Sequence, residues 1–298
     1  MGRTEGPCAL PSWSKTMGGW GLAIALGLLG TLLTSRPARA ADSAVHTWAC
    51  YYGKKPQPLL ARFDLVVLES NNLPPPVKRN GKPVALAYAS LGEVDADGAY
   101  WSLVKGQPFV LRKNSNWNSY FVDIRNTRWR EVVLDRIIPD IVAKGYDGVF
   151  LDTLDSSVHL EDTDPKAFSG MTQAAVSLVH EIKSRFPNLR LCLNRAVPVL
   201  AKSAPDLDYA LLEGLYSDYD GGTKHYRLVS QKDREALVAA AVQAQSANGK
   251  LIVLSLDYAA PNNAKRVRQA VAFSRNHGFV PYVATPQLNK VYTATLDN

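Results

Sequence analysis

Eight short apolar runs, spread along most of the chain, constrain its fold more than any other feature. They are Thr47–Tyr52, Asp64–Glu69, Val84–Ser90, Gly148–Asp152, Arg190–Asn194, Tyr209–Glu213, Leu251–Asp257 and Phe279–Thr285. A strand with one wet face alternates polar and apolar residues, whereas the cores LVVL, VALAYA, GVFL and LIVLSL do not. Such runs suit parallel strands covered on both faces. Amphipathic helices with legible ends lie between several of them. Asn126 caps a helix carrying Trp129, Val132, Val133 and Ile137, bent at Pro139 and stopped before Gly145. Ser230, with Asp233 three residues on, opens a helix that ends near Gly249. Asn263 opens another, closed by Gly278.

Strand–helix alternation repeated eight times predicts an α/β fold of the (β/α)8 TIM-type barrel class over residues 41–298. Two units are short. Only 14 residues separate Glu69 from Val84, and they include Pro74-Pro75-Pro76, so the second helix is shortened to one turn at most. Only 13 residues follow Thr285, so the eighth helix is short or missing. A doubly wound open sheet is the competing architecture. No G-x-G-x-x-G turn follows any run, which speaks against a nucleotide-binding version of it.

Residues 1–40 read as a secretory signal peptide. Thr16 to Ser35 carry no charge, Arg3 and Lys15 precede them, and Ala38-Arg39-Ala40 follows as a small-x-small cleavage site. A retained anchor is the alternative, since about twenty uncharged residues can span a bilayer. Gly21, Gly27 and Gly30 within the run favour cleavage, which leaves no stable membrane anchor and a periplasmic or secreted protein. The whole chain has 34 Lys+Arg against 27 Asp+Glu, a net +7, and cleavage lowers this to about +4. With no Lys/Arg block left, no nucleic-acid partner is expected. Cys50 and Cys192 remain, each in an apolar run, and read as buried thiols rather than as a disulfide.

In such a barrel, chemistry sits where the strands end. The runs end at Tyr52, Glu69, Ser90 (with Glu93 just beyond), Asp152, Asn194, Glu213, Asp257 and Thr285. Taken singly, each acid is as well explained by a turn or a helix cap. Five on one rim describe an acidic basin, suited to a cationic, polyhydroxylated or metal-bound ligand. The five histidines are scattered and form no H-x-H or H-E-x-x-H pair, so a zinc site is not expected. Carboxylates alone holding a hard cation stay open. No G-x-S-x-G elbow is present. What remains is catalysis by two carboxylates, as in most glycosidases. Aromatic residues between Glu93 and Asp123, and Tyr216, Tyr219 and Tyr226 after Glu213, suit sugar rings and ammonium groups. A non-catalytic polysaccharide-binding barrel would use the same aromatics.

Three strings then point further: Ala87-Tyr88-Ala89-Ser90-Leu91-Gly92-Glu93, Phe121-Val122-Asp123-Ile124-Arg125, and the eleven residues from Gly145 to Asp155, GYDGVFLDTLD. Together they resemble glycoside hydrolase family 114, the endo-acting α-1,4-polygalactosaminidases, and most of all the hydrolase domain of the Pel exopolysaccharide hydrolase/deacetylase proteins. The likeness covers nearly all of residues 41–298. It implies a barrel that cuts polymers of galactosamine and N-acetylgalactosamine within the chain. The family's two catalytic acids, at the ends of strands four and six, match Asp152 and Glu213. The deacetylase portion of the multidomain relatives is not in this chain.

The site reading that follows has Asp152 as nucleophile and Glu213 as general acid/base of a retaining pair, about 5–5.5 Å apart. Glu69, Glu93, Asp155, Asn194 and Asp257 are expected to hold hydroxyl, acetamido or ammonium groups, with Tyr52, Tyr88, Tyr216 and Tyr258 beside them. The partner is a cationic amino-sugar polysaccharide; no cofactor is implied, and a monomer is expected.

Overall fold

The computed structural model describes residues 45–115 and 117–296. The expected export segment, residues 1–40, lies outside them, and so does the boundary drawn at residue 41. No helix among the described residues is long and apolar enough to cross a membrane.

The eight apolar runs are eight strands: β1 (Trp48–Tyr51), β2 (Leu65–Leu68), β3 (Val84–Ser90), β4 (Gly148–Asp152), β5 (Arg190–Asn194), β6 (Tyr209–Glu213), β7 (Ile252–Tyr258) and β8 (Val280–Ala284). They pair in chain order, every neighbour parallel. This is the TIM-type order, and it excludes the doubly wound sheet, whose strand order reverses at a switch point. β1, β2, β4 and β6 are buried at every residue, which is why their sequences do not alternate. Gly148 starts β4 because a Cβ there would lie 2.2 Å from the Arg190 carbonyl oxygen. The sheet curls until β8 lies against β1, but no ladder joins these two strands among the described residues. Instead the Trp48 indole donates to the Val280 carbonyl at 2.9 Å, and the Tyr52 amide to the Leu288 carbonyl at 2.7 Å.

The helices start where the caps place them. Asn126, Ser230 and Asn263 each accept the amide two or three residues on, and helices Gln231–Ala247 and Ala264–Asn276 follow the last two. The helix after Asn126 does not simply bend at Pro139. It widens to a π turn over Val133–Ile137 before resuming at Ile138. Proline lacks an N–H and its ring crowds the carbonyl four residues back, and a wider turn absorbs both. No helix lies between β2 and β3, nor after β8, among the described residues. Cys50 and Cys192 are buried thiols with no disulfide between them.

Two stretches that read as aromatic loops are ordered. Within residues 93–122, Glu93–Asp95, Val110–Lys113 and Ser119–Val122 form a small antiparallel sheet, with the last strand central. After β6, Ser217–Asp220 and His225–Leu228 form a hairpin. Both stand at the C-terminal rim of the barrel.

Candidate active site

The C-terminal strand ends open into one cleft of about 790 Å3. Side chains alternate faces along a strand, so parity decides which of them enter. Tyr88 and Ser90 of β3, Phe150 and Asp152 of β4, Asn194 of β5, Glu213 of β6, and Leu256 and Tyr258 of β7 do so.

Asn194 joins the two acids that end β4 and β6. Its Nδ2 donates to Asp152 Oδ1 at 2.9 Å and to Glu213 Oε2 at 2.8 Å. An amide nitrogen carries two hydrogens, so both bonds form at once, and the two acceptor oxygens lie within about 5.7 Å, the two bonds laid end to end. The Tyr258 hydroxyl donates to Glu213 Oε1 at 2.5 Å, and the Tyr88 hydroxyl donates to Asp152. Asp152 and Glu213 are 8% and 7% exposed. Burial pushes both carboxyls up, and the charge of Asp152 helps carry Glu213 to about 7 against its bonds from Tyr258 and Asn194. Asn194 Oδ1 is buried and has no partner among the described residues.

The residues behind the acids hold them rigidly. Thr153 takes a left-handed conformation at φ 62, which a β-branched side chain rarely adopts. Its hydroxyl donates to the Asp152 carbonyl at 2.7 Å and accepts the Leu91 and Gly92 amides at 3.1 and 2.9 Å. The end of β3 is thus bolted to the end of β4. Behind Glu213, Gly214 turns at φ 63 and donates to the Leu256 carbonyl at 2.7 Å.

Further acids line the wall on the β2, β3 and β4 side. Glu69 is raised by burial, and Asp155 is pushed up to about 6 by burial and by Asp152. Asp95 is exposed as a residue, but its carboxyl is turned to the concave wall. Desolvation there and the charges of Glu69, Glu93 and Asp152 push it up to about 6. Glu93 is fully engaged. It accepts from Asn114 at 3.0 Å, Ser156 at 2.6 Å and Ser119 at 2.5 Å, tying the small antiparallel sheet to the helix that follows β4. Tyr52 and Tyr88 meet edge to face at 5.3 Å.

Of the residues singled out from sequence, Asp152, Glu213, Tyr52, Glu69, Tyr88, Glu93, Asp155, Asn194 and Tyr258 line the cleft. Tyr216 and Asp257 do not. β7 runs one residue past Asp257, so Tyr258 takes the inward position and Asp257 faces out, fully buried. There Asp257 Oδ1 accepts the Tyr216 and Ser217 amides at 2.6 and 2.8 Å, and burial pushes the carboxyl up to about 7. Tyr216 packs on Phe273 at 5.4 Å, with the Arg234 guanidinium 5.0 Å from its ring. Of the aromatic residues expected to meet sugar between Glu93 and Asp123, only Trp117 lines the cleft; Phe109 and Phe121 are core. The sequence reading missed Asp95, Thr153, Lys54 and Lys55. Asp95 had a signal, since it stands two residues from Glu93 and shares its strand face. No three His, Cys, Asp or Glu side chains among the described residues converge as a metal site would require.

Comparison with known proteins agrees with this architecture. The model of glycoside-hydrolase family GH114 matches residues 31–297. The glycoside hydrolase domain of PelA from Pseudomonas aeruginosa is 31% identical, with a TM-score of 0.72 over 83% of this chain and 98% of that one. Ega3 from Aspergillus fumigatus, solved in complex with galactosamine, is 16% identical, with a TM-score of 0.63 over 85% of this chain and 96% of that one. Among curated proteins, none matches the chain.

Proposed function

The chain belongs to glycoside-hydrolase family GH114 and is a glycoside hydrolase; on that premise we propose that it cuts α-1,4-linked galactosamine/N-acetylgalactosamine exopolysaccharide within the chain, with retention. The observation that carries the chemistry is the single Asn194 amide bridging two buried carboxylates. That span fits a retaining pair at about 5–5.5 Å better than an inverting pair, which needs about 6.5–9.5 Å to admit a water between acid and sugar.

The electrostatics divide the roles. Glu213, carried to about 7, holds its proton in about half of the molecules at neutral pH and in more of them below it, and donates it to the glycosidic oxygen. Asp152 holds the pair's negative charge with hydrogen bonds from Asn194 and Tyr88. It attacks the anomeric carbon as the leaving sugar departs, forming a glycosyl ester. Glu213, now a carboxylate, takes a proton from the incoming water, whose oxygen displaces Asp152 and restores the starting configuration. The unpartnered Asn194 Oδ1 is an acceptor for an N–H or O–H of the bound sugar. A buried acceptor left unsatisfied costs about 1–3 kcal/mol, which substrate binding would recover.

The substrate follows from the acids on the cleft wall, which suit ammonium groups, and from the galactosamine that Ega3 holds. Export to the periplasm or the exterior, where such polymers lie, is supported by the uncharged stretch from Thr16 to Ser35 and by Ala38-Arg39-Ala40. The test is reducing-end release from partially de-N-acetylated α-1,4-galactosaminan, with Asp152→Asn as control. Internal cuts by the parent chain and none by the variant support the reading. Equal release by both would end it.

A further inference from the structure

The cleft is not uniformly acidic. Going round the barrel mouth, Glu69 follows β2, Glu93 and Asp95 follow β3, and Asp155 follows β4. The loops after β1 and β8, across the closing seam, contribute no acid to the cleft. They supply Lys54, Lys55 and Gln57 on one side and Gln287 and Asn289 on the other. Neither lysine forms an ion pair among the described residues.

This lysine corner is built. The Tyr51 hydroxyl donates to the Lys55 carbonyl at 2.7 Å, and the loop folds back so closely that a Cβ on Gly53 would lie 2.3 Å from that hydroxyl oxygen. The adjoining Tyr52 amide is fixed to Leu288. The backbone that carries these two exposed lysines is therefore fixed at the rim of a cleft whose β2–β4 wall attracts cations.

We infer that Lys54 and Lys55 make the β8–β1 end of the cleft select N-acetylated sugar, while the β2–β4 wall takes the deacetylated one, so that cuts fall where the two kinds of residue meet. This rests on the proposed galactosaminidase activity and deepens it. A substrate ammonium about 4 Å from a lysine ammonium is disfavoured about fivefold per lysine in water, and a neutral acetamido group is not. The amides of Gln57, Gln287 and Asn289 offer that group donors and acceptors without charge.

The experiment compares the parent chain with Lys54→Ala/Lys55→Ala, both positions being exposed on the loop. The probes are fully deacetylated, highly acetylated and half-acetylated α-1,4-galactosaminan, with products sequenced by mass spectrometry. In the parent digest of the half-acetylated polymer, one class of new chain end should be enriched in acetylated sugar and the other in deacetylated sugar. The double variant should lose the acetylated bias. Its kcat/KM ratio of fully deacetylated to highly acetylated polymer should rise about tenfold or more at low ionic strength, and less near 1 M salt, where the screening length falls to about 3 Å. Unbiased ends in the parent digest, or an unchanged ratio in the variant, overturn the lysine assignment while leaving the galactosaminidase reading intact. No release from any of the three polymers overturns both.

Discussion

The Tyr258 hydroxyl lies 2.5 Å from Glu213 Oε1 and donates to it, although the two residues stand on adjacent strands and Glu213 is the group carried to about 7. This bond favours the charged carboxylate, so it holds Glu213 lower than burial alone would. Tyr258→Phe should therefore raise the Glu213 pKa and move the alkaline limb of the kcat/KM–pH profile upward, with about a tenfold loss at the optimum. A limb that stays in place would mean that Glu213 is not the titrating acid.

Replacing the acids should separate their roles. Asp152→Asn and Glu213→Gln should each lower kcat by at least about a hundredfold. Azide added to Glu213→Ala should restore turnover of an activated glycoside and yield a glycosyl azide of retained configuration. An inverted azide alone would exchange the two roles.

Stability should fall as pH rises. Asp95 and Asp155 are pushed up to about 6, and Glu213 and Asp257 to about 7, from ordinary values of 3.8 for the aspartates and 4.5 for Glu213. The folded chain therefore binds protons more tightly than the unfolded one. That contribution is complete below about pH 4 and is lost as pH climbs through 6 and 7. The Tm should be higher at pH 5 than at pH 8, and Glu213→Gln should narrow the gap by removing one of the four groups. A Tm that rises between these pH values would contradict the assignment.

Thr153 should matter through its hydroxyl. Thr153→Ser keeps the acceptor for the Leu91 and Gly92 amides and should stay close to the parent. Thr153→Ala strands the buried Gly92 N–H, at about 1–3 kcal/mol, leaves the Leu91 N–H only its bond to the Asp152 carbonyl at 3.0 Å, and loosens the strand end that carries Asp152. Denaturant unfolding and kcat, measured together, should fall in Thr153→Ala alone.

Asp257 lies outside the cleft but accepts the amides of the loop behind Glu213. Asp257→Asn keeps the accepting oxygen and should retain most activity. Asp257→Ala should lose stability, and kcat more than KM. A loss in both variants that is greater on deacetylated than on acetylated oligomers would bring Asp257 back to the substrate.

Much of the floor of the site was legible because apolar strands stop abruptly at Asp152, Asn194 and Glu213. Asp257 shows the limit of that logic. The β7 run continues through one more residue, and a slip of one place exchanges the two faces of a strand. The small antiparallel sheet was hidden because its strands are three or four residues long, too short for a period to register. Lys54 and Lys55 carried no signal, since periodicity says nothing of the direction in which a loop folds back. The left-handed Thr153 ran against its own side-chain preference, as residues strained beside a reacting group do.

Among the described residues no ladder joins β8 to β1, so the barrel is expected to have one stiff wall and one compliant wall. Seven strand pairs are zipped by ladders, while among the described residues the eighth boundary is held by the Trp48 indole, the Tyr52 amide and the packing of Trp48 and Phe63 on Tyr282. Parting there breaks few bonds, so the amides of this boundary should trade hydrogen for deuterium well before those of β4 to β6. The compliant wall carries the lysine loop and the Gln287–Asn289 turn. Widening of the mouth is expected at this boundary, which would admit the middle of a long polymer, while Asp152, Asn194 and Glu213 stand on strands laddered on both sides.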